Sequence, residues 1–165
     1  LNIMKAQREK IIQRNEAIDI VRKLKAENKR IVFTNGCFDL IHVGHVRLLQ
    51  EARNRGDCLI VGLNTDASIR RIKGDKRPLL DESQRGRIVA AFESVDYVLF
   101  FDEDTPEELI REIKPDVLVK GGDYTMEAVA GRQEVWDAGG EVILYTPVPG
   151  RSTSAIIENI VERFS

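Results

Sequence analysis

Five short apolar segments, separated by stretches with helical periodicity, constrain the fold of this chain more than any other feature. Each segment is continuously apolar and rich in β-branched or aromatic residues, which is typical of strands that are buried on both faces. The apolar segments cover residues 31–34, 58–63, 97–101, 117–119 and 142–145; the helical patterns cover 43–55, 66–72, 82–92, 106–113 and 132–138, and a last helix follows Thr153. This alternation predicts an α/β fold with a doubly wound parallel sheet.

A charged stretch with helical periodicity, residues 4–28, precedes the first predicted strand. One face of this stretch is apolar, so we predict a single helix that serves as a packing or dimer-forming arm. The apolar face consists of Ile11, Ile12, Ala17, Ile18, Val21 and Leu24. We therefore divide the chain of 165 residues into an N-terminal helical extension, 1–29, and one α/β domain, 30–165, with a single sizeable core.

Composition and charge exclude several classes of protein. The formal net charge of −2 provides no basic surface for a nucleic acid. No apolar run reaches the roughly 18 residues that a membrane span needs, and the charged N-terminus is unlike a signal peptide. Cys37 and Cys58 lack the spacing of a metal site and are too few for a disulfide framework. We expect two reduced thiols in a cytoplasmic protein that has no metal site of its own.

Several catalytic motifs are absent from the sequence. There is no GxxxxGK[ST] loop, no GxGxxG after a strand, no HExxH and no GxSxG. These absences disfavour the common types of kinase, ATPase, dehydrogenase and esterase. A doubly wound sheet binds its ligands beyond the carboxyl ends of its strands, so the loops that follow the predicted strands are the places to look for a site.

The loop after the first strand contains the only two histidines of the chain, His42 and His45. They are three residues apart at the start of a predicted helix, so both side chains can lie on one face of its first turn. Gly36 permits a turn, and Gly44 leaves room for a ligand close to the backbone. Because a helix N-terminus attracts anions, this arrangement predicts a phosphate site. The alternative is one packed and one exposed histidine with no ligand.

The last predicted loop, residues 147–154, also leads from a strand into a helix. Its hydroxyl side chains, Ser152, Thr153 and Ser154, can cap that helix. Capping alone does not explain Arg151, because a cation at the positive end of a helix is disfavoured unless an anion is present. We therefore predict a second phosphate site formed by these four residues.

Two further loops are candidates for ligand binding. Residues 70–77 contain five cations, of which we expect Lys73 and Arg77 to contact a ligand and the others to be solvated. Residues 120–124 contain Lys120, which can meet a phosphate, and Asp123, which can accept hydrogen bonds from sugar or ribose hydroxyls. A plain turn with two glycines is an equal alternative for this loop.

The sequence Asn-Gly-Cys-Phe-Asp-Leu-Ile-His-Val-Gly-His resembles the HxGH signature of the cytidylyltransferase-like nucleotidyltransferases. Arg-Ser-Thr-Ser-Ala-Ile-Ile is similar to their second signature, and the resemblance extends over about residues 30–160. Within this family, TNGCFDLIHVGH, LVKGGDY and PGRSTS look most like the branch that transfers AMP from ATP to D-glycero-D-manno-heptose 1-phosphate. The resemblance implies a Rossmann-like nucleotidyltransferase domain, in the form that stands alone rather than fused to a sugar kinase.

The resemblance also implies roles for individual residues. His42 and His45 would hold the triphosphate and stabilise charge in the transition state, and Lys73 would reach the phosphates. On the nucleotide side it implies Cys37, Phe38, Gly44, Arg151, Ser152, Thr153 and Ser154, and on the substrate side Asp39, Arg77, Lys120 and Asp123. Arg151 departs from the family, many of whose members have Ile before the hydroxyl run. Mg²⁺ would be carried by the ATP phosphates, and a homodimer is expected because family members often form one.

A sugar 1-phosphate is a suitable acceptor for such a site without a general base. Its second pKa is about 6, so at neutral pH the phosphate is already largely a dianion. The reaction then needs in-line positioning and neutralisation of charge, and we expect direct attack on the α-phosphorus. Three alternatives stay open: a cytidylyltransferase acting on glycerol 3-phosphate or a similar alcohol phosphate, a non-catalytic nucleotide-binding module, and, least favoured, a redox or metal protein built on Cys37 and Cys58.

Overall fold

A sheet of five parallel strands forms the centre of the structure, a computed structural model that describes residues 7–146, 149–150 and 152–165. The strands are β1 (Ile31–Gly36), β2 (Cys58–Asn64), β3 (Tyr97–Phe101), β4 (Val117–Gly121) and β5 (Glu141–Tyr145). Their order in the sheet is β3-β2-β1-β4-β5, and every neighbouring pair is parallel. The chain thus runs outward from β1 to one edge and then to the other, which confirms the predicted doubly wound α/β fold.

Helices cover both faces of this sheet. They are α1 (Gln7–Lys10), α2 (Arg14–Ala26), α3 (Val43–Arg53), α4 (Asp66–Lys73), α5 (Glu82–Ala90), α6 (Glu107–Ile113), α7 (Arg132–Asp137) and α8 (Thr153–Phe164), with a 3₁₀ turn at Met126–Ala128. Successive strand residues point to opposite faces, so Phe33 packs in the core beside α2, α6 and α7, whereas Val32 packs in the core beside α3 and α5. No helix of the described residues is long and apolar enough to cross a membrane.

The N-terminal stretch differs from the single helix predicted for residues 4–28, of which 4–6 lie outside the described residues. The helix is interrupted at Ile11–Gln13, between α1 and α2. There Ile11 forms an isolated parallel bridge to Val98 of β3, and the Ile12 N–H donates to the Val98 carbonyl at 2.9 Å. The interruption has a clear cause, because these bonds satisfy polar groups at the edge of the sheet. Ile12 is buried in the core. The domain boundary after residue 29 and the role of this stretch in a dimer stay predictions.

The crevice between β1 and β4 is where the direction of winding reverses. The loops after β1, β2 and β4 all leave the sheet at this end, together with the N-termini of α3 and α8. In a doubly wound sheet such a switch point is the usual binding place. Gly121 at the end of β4 keeps the crevice closely packed, because a Cβ there would lie 2.9 Å from the Leu48 side chain.

Candidate active site

The loop after β1 turns sharply at Phe38, two residues after the last strand residue, Gly36. Phe38 has a φ of 47°, in the left-handed region that non-glycine residues rarely adopt. Its ring folds back toward β1, so a Cβ on Gly36 would lie 3.0 Å from the ring. The same ring lies 5.1 Å from the imidazole of His45, centroid to centroid. Gly36 thus permits the turn that brings Phe38 against the first turn of α3.

The two histidines form the N-terminal cap of α3. His42 is the N-cap residue, and its Nδ1 accepts a hydrogen bond from the Gly44 N–H at 3.1 Å. His45 Nδ1 accepts from the His42 N–H at 3.3 Å, so the two imidazoles form a reciprocal capping box. Their ring centroids are 3.9 Å apart and the planes are tilted by 30°. The predicted placement on one face of the first turn is therefore observed.

Hydrogen bonding and burial together determine the protonation of this pair. Each Nδ1 accepts a backbone N–H, so a neutral ring carries its proton on Nε2. Burial lowers the pKa of His42. Burial, with the nearby charges of His42 and Lys73, lowers the pKa of His45 to about 4. At neutral pH without a ligand, both rings are therefore neutral Nε2–H donors.

A buried carboxylate connects the loop after β1 to the segment after α4. Asp39 is 1% exposed, and its oxygens accept the N–H groups of Leu79 and Leu80 at 2.9–3.0 Å and the Arg77 Nε–H at 2.8 Å. Burial opposes ionisation, but the Leu80, Leu79 and Arg77 bonds outweigh it and hold the pKa of Asp39 below its usual range. Both oxygens are thus engaged by the protein. The predicted substrate contact of Asp39 stays a prediction, and the structure shows Asp39 positioning Arg77.

Two adjoining cavities lie at this end of the sheet, and we name them the outer and the inner cavity. The outer cavity measures about 870 Å³, and its lining includes His42, Gly44, His45, Lys73, Arg77, Asp123, Ser152, Thr153 and Ser154. The inner cavity measures about 330 Å³, and its lining includes Asn35, Cys37, Phe38, His45, Asn64, Lys73, Lys120 and Tyr124. His45 and Lys73 line both cavities. Apart from Asp39, the predicted site residues that the structure describes therefore meet here, while Arg151 lies outside the described residues.

The start of α8 contributes to the outer cavity. Ser152 caps this helix, because its Oγ accepts the Ala155 N–H at 3.1 Å. Thr153 Oγ1 donates to the Leu40 carbonyl at 3.2 Å, which joins α8 to the loop that carries His42. The first N–H groups of a helix lack carbonyl partners within it and favour an anion. The capping role of Ser152 is observed, and its phosphate contact stays a prediction.

Two lysines contribute positive charge to the inner cavity. Lys120 Nζ lies 5.1 Å from the centroid of the Tyr124 ring. Burial lowers the pKa of Lys120, the neighbouring Cys37 raises it, and Lys73 lowers it further. Among residues 7–146, 149–150 and 152–165, no carboxylate forms an ion pair with Lys73 or Lys120. The cavity therefore favours an anionic ligand.

Comparison with known families agrees with this geometry. Residues 33–159 match the model of the family described as cytidylyltransferase-like. The chain belongs to the cytidylyltransferase-like family. The match extends from β1 into α8 and so includes both histidines, Lys73 and the hydroxyl residues at the start of α8.

The family assignment is supported by relatives over most of the chain. This chain is 55% identical over 156 residues to the bifunctional protein HldE of Pelobacter propionicus, and 58% identical over 145 residues to the bifunctional protein HldE of Geobacter metallireducens. These matches cover 94% and 88% of this chain but only 32% and 30% of the relatives, so the chain spans about a third of their length.

Two solved structures have a fold similar to that of this chain. A lipopolysaccharide core biosynthesis protein from Thermoplasma volcanium has a TM-score of 0.60 and 27% identity, covering 73% of this chain and 97% of that one. A pantoate-beta-alanine ligase from Francisella tularensis, solved with β-γ ATP and β-alanine, has a TM-score of 0.62 at 15% identity. The match covers 92% of this chain and 78% of the ligase, and it shows a shared fold alone.

One residue that supports this site, Arg85 of α5, was not predicted from the sequence. Its side chain is fully buried and donates to the carbonyls of Cys37 at 2.8 Å, Asn64 at 2.9 Å and Leu80 at 3.1 Å. It also pairs with Asp66 at 2.6 Å. Arg85 thus ties together the loops after β1 and β2 and the segment before α5. The sequence contained a signal for this role. Arg85 lies one helical turn before the apolar Val89, so the two side chains share a helix face, and a charged residue is unexpected on an apolar face.

The lowered pKa of His45 predicts how stability depends on pH. An unfolded histidine titrates near 6.5, so between that pH and about 4 the unfolded chain binds more protons than the folded one. The stabilisation is therefore complete above about pH 6.5 and is lost as the pH falls toward 4. We expect wild type to lose about 1–2 kcal/mol of unfolding free energy relative to His45→Asn between pH 7.5 and 4.5, because Asn does not titrate. Urea unfolding at both pH values measures this, and equal losses would contradict it.

Proposed function

We propose that this chain transfers AMP from ATP to a sugar 1-phosphate, specifically D-glycero-D-manno-heptose 1-phosphate, and releases pyrophosphate. The observation that carries the proposal is the pair of imidazoles, His42 and His45, whose ring centroids lie 3.9 Å apart in a cavity that also includes Lys73 and the N-terminus of α8. The choice of heptose is supported by the resemblance of the motifs, by the HldE relatives and by the likeness to the lipopolysaccharide core biosynthesis protein of Thermoplasma volcanium.

The two cavities suggest where each substrate binds. The outer cavity is the larger and contains the N-termini of α3 and α8, so we assign it to the nucleotide and its triphosphate. This assignment exchanges the sides that the resemblance implies for four residues lining the two cavities: Cys37, Phe38, Arg77 and Asp123. The inner cavity contains Lys120 and adjoins the outer one at His45 and Lys73. We therefore place the α-phosphorus beside His45 and Lys73, with the acceptor phosphate on the inner side and the leaving pyrophosphate on the outer side.

The transfer then proceeds in one step. An oxygen of the acceptor phosphate forms a bond to the α-phosphorus while the bond from that phosphorus to the bridging oxygen of pyrophosphate breaks. The acceptor needs no general base, because its phosphate is largely a dianion at neutral pH. The Nε2–H groups of His42 and His45 donate to phosphate oxygens, and Lys73 opposes the charge that develops on the leaving group. A preorganised donor of this kind is worth about 2.7–4 kcal/mol of barrier.

A divalent cation would be carried by the phosphates rather than by the protein. The described part of the chain contains no group of three or more His, Cys, Asp or Glu side chains placed to bind a metal ion. Mg²⁺ usually keeps several waters and is bound through one or two carboxylates together with substrate phosphates, so the triphosphate would provide part of its ligands. The ion would neutralise charge on the triphosphate, and its identity as Mg²⁺ belongs to the proposal.

Crossing two donors with two acceptors tests the proposed activity. We expect pyrophosphate release with ATP and heptose 1-phosphate in the presence of magnesium, and at least about 100-fold less with CTP or with glycerol 3-phosphate, because unmatched polar groups in a site are strongly rejected. A coupled pyrophosphate assay measures all four pairs. Turnover with CTP and glycerol 3-phosphate would instead make the chain a cytidylyltransferase of alcohol phosphates. ATP binding without release for any pair would favour a non-catalytic module.

A further inference from the structure

A buried carboxamide at the end of β2 faces the inner cavity. Asn64 is 4% exposed and is one of the residues that line this cavity. The buried Arg85 holds its backbone in place and links it to the loop after β1, since Arg85 donates to the Asn64 carbonyl at 2.9 Å and to the Cys37 carbonyl at 2.8 Å. Its side chain is therefore a polar group on a rigid strand end, where a ligand contact can be positioned accurately.

A chain of hydrogen bonds determines which way this carboxamide points. Ser68 Oγ donates its only hydrogen to the Glu103 carbonyl at 3.0 Å. Ser68 Oγ can then only accept from Asn64, and the Asn64 Nδ2 group lies 3.0 Å from it. The amino side of the carboxamide is thus committed to Ser68, and the oxygen Oδ1 lies on the opposite side.

The Oδ1 atom of Asn64 has no partner within the protein. Among the described residues, no backbone or side-chain group donates a hydrogen bond to it. In the described chain, two side-chain atoms are buried from solvent and lack a hydrogen-bond partner: Arg14 Nη2 and Thr34 Oγ1. Asn64 Oδ1 is not among them, so this unpartnered oxygen is accessible to solvent. The oxygen is therefore open to the inner cavity, as an oriented acceptor for a donor that the protein does not provide.

We propose that Asn64 is a specificity-determining residue that accepts a hydrogen bond from a hydroxyl group of the acceptor sugar. This inference rests on the proposed function and adds the group that selects a polyhydroxylated acceptor. Asn35, at the end of the neighbouring strand β1, brings a second carboxamide to the same cavity, and Lys73 and Lys120 bring two ammonium groups. Carboxamides match hydroxyls and ammonium groups match a phosphate, so the lining suits a sugar phosphate.

The nucleotide is the other possible source of a donor for Asn64. The phosphate-binding groups of the proposed triphosphate site, His42 and the start of α8, line the outer cavity and not the inner one. The outer cavity is also the larger, at about 870 Å³ against about 330 Å³, and has the room that a nucleotide needs. We therefore assign the Asn64 contact to the acceptor, and the experiment separates the two sources.

Replacement of Asn64 by leucine removes the acceptor atom with little change in volume. We expect Asn64→Leu to raise the KM for heptose 1-phosphate by about 10- to 100-fold and to leave the KM for ATP within about 2-fold of wild type. Ser68 keeps its bond to the Glu103 carbonyl, so the fold is retained, as thermal unfolding checks. Ser68→Ala frees the carboxamide to turn and gives a smaller rise in the same KM, about 3- to 10-fold. Asn54→Leu makes the same chemical change at an exposed site and leaves both constants unchanged.

Binding measurements keep this inference separate from the proposed reaction. Calorimetry with heptose 1-phosphate, in the presence of a non-hydrolysable ATP analogue, should show weaker binding to Asn64→Leu than to wild type even if no turnover occurs. Inorganic phosphate, which has no sugar hydroxyls, should bind both proteins equally. The inference is overturned if heptose 1-phosphate binds both proteins equally or neither, or if the KM for ATP rises instead. Absence of turnover in wild type, with this binding difference intact, would overturn only the proposed reaction.

Discussion

We expect His45→Asn to lower kcat for adenylyl transfer by about 10²- to 10³-fold while the protein stays folded at pH 7.5. The carboxamide oxygen of Asn lies near the position of the imidazole Nδ1, so it can still accept the His42 N–H that completes the helix cap. Asn is too short to place a donor where Nε2–H lies. The variant therefore removes the contact to phosphate and keeps the structural contact, and steady-state kinetics with thermal unfolding measure the two separately.

The complementary substitution at His45 is glutamine, which is the matched control. Its longer side chain can present an N–H group near the Nε2 position but provides no acceptor near Nδ1. We expect His45→Gln to keep more activity than His45→Asn, within about 10-fold of wild type, and to lose about 1 kcal/mol of stability from the cap. His42 should show the same pattern, because its Nδ1 accepts the Gly44 N–H. If the Asn variants retain wild-type kcat, the histidines act only as caps and the proposed function loses its main support.

Replacement of Arg85 by methionine should lower the free energy of unfolding by about 3–5 kcal/mol. The substitution leaves three backbone carbonyls and the Asp66 carboxylate without this donor; the Arg85 side chain is fully buried, and that of Asp66 is 21% exposed. For a chain of this length, that corresponds to a melting temperature lower by about 10 °C. Because two of those carbonyls belong to Cys37 and Asn64, which line the inner cavity, the KM for the acceptor should rise as well.

A neighbouring arginine on the same helix supplies the control for this experiment. Arg87 is exposed, and Arg87→Met should change the unfolding free energy by less than about 0.5 kcal/mol. Arg85→Lys keeps the charge beside Asp66 but has too few donors for three carbonyls, so its loss should be intermediate. Urea unfolding compares the three variants. Equal losses for Arg85→Met and Arg87→Met would mean that the buried hydrogen bonds contribute nothing to the fold.

The parallel sheet and most of its helices could be predicted from the sequence because their signals are local. Residues 58–63 are continuously apolar, and this is the strand β2, buried along its whole length. The placement of His42 and His45 was also predictable, because a spacing of three puts two side chains on one helix face. The break between α1 and α2 was not, since it depends on bonds from Ile11 and Ile12 to β3, which is distant in the chain.

The sequence by itself therefore determined the doubly wound α/β fold and the loops that form the candidate site. Periodicity and motif spacing act over a few residues, and the carboxyl ends of parallel strands always meet at one edge of a sheet. Only the tertiary structure decided what individual side chains do there. Asp39 is engaged by residues 77–80, Arg85 joins loops that are 21 and 48 residues away, and Asn64 Oδ1 points into a cavity because Ser68 holds its amide. Such roles arise from partners that folding alone brings together, and burial makes each partner's orientation matter.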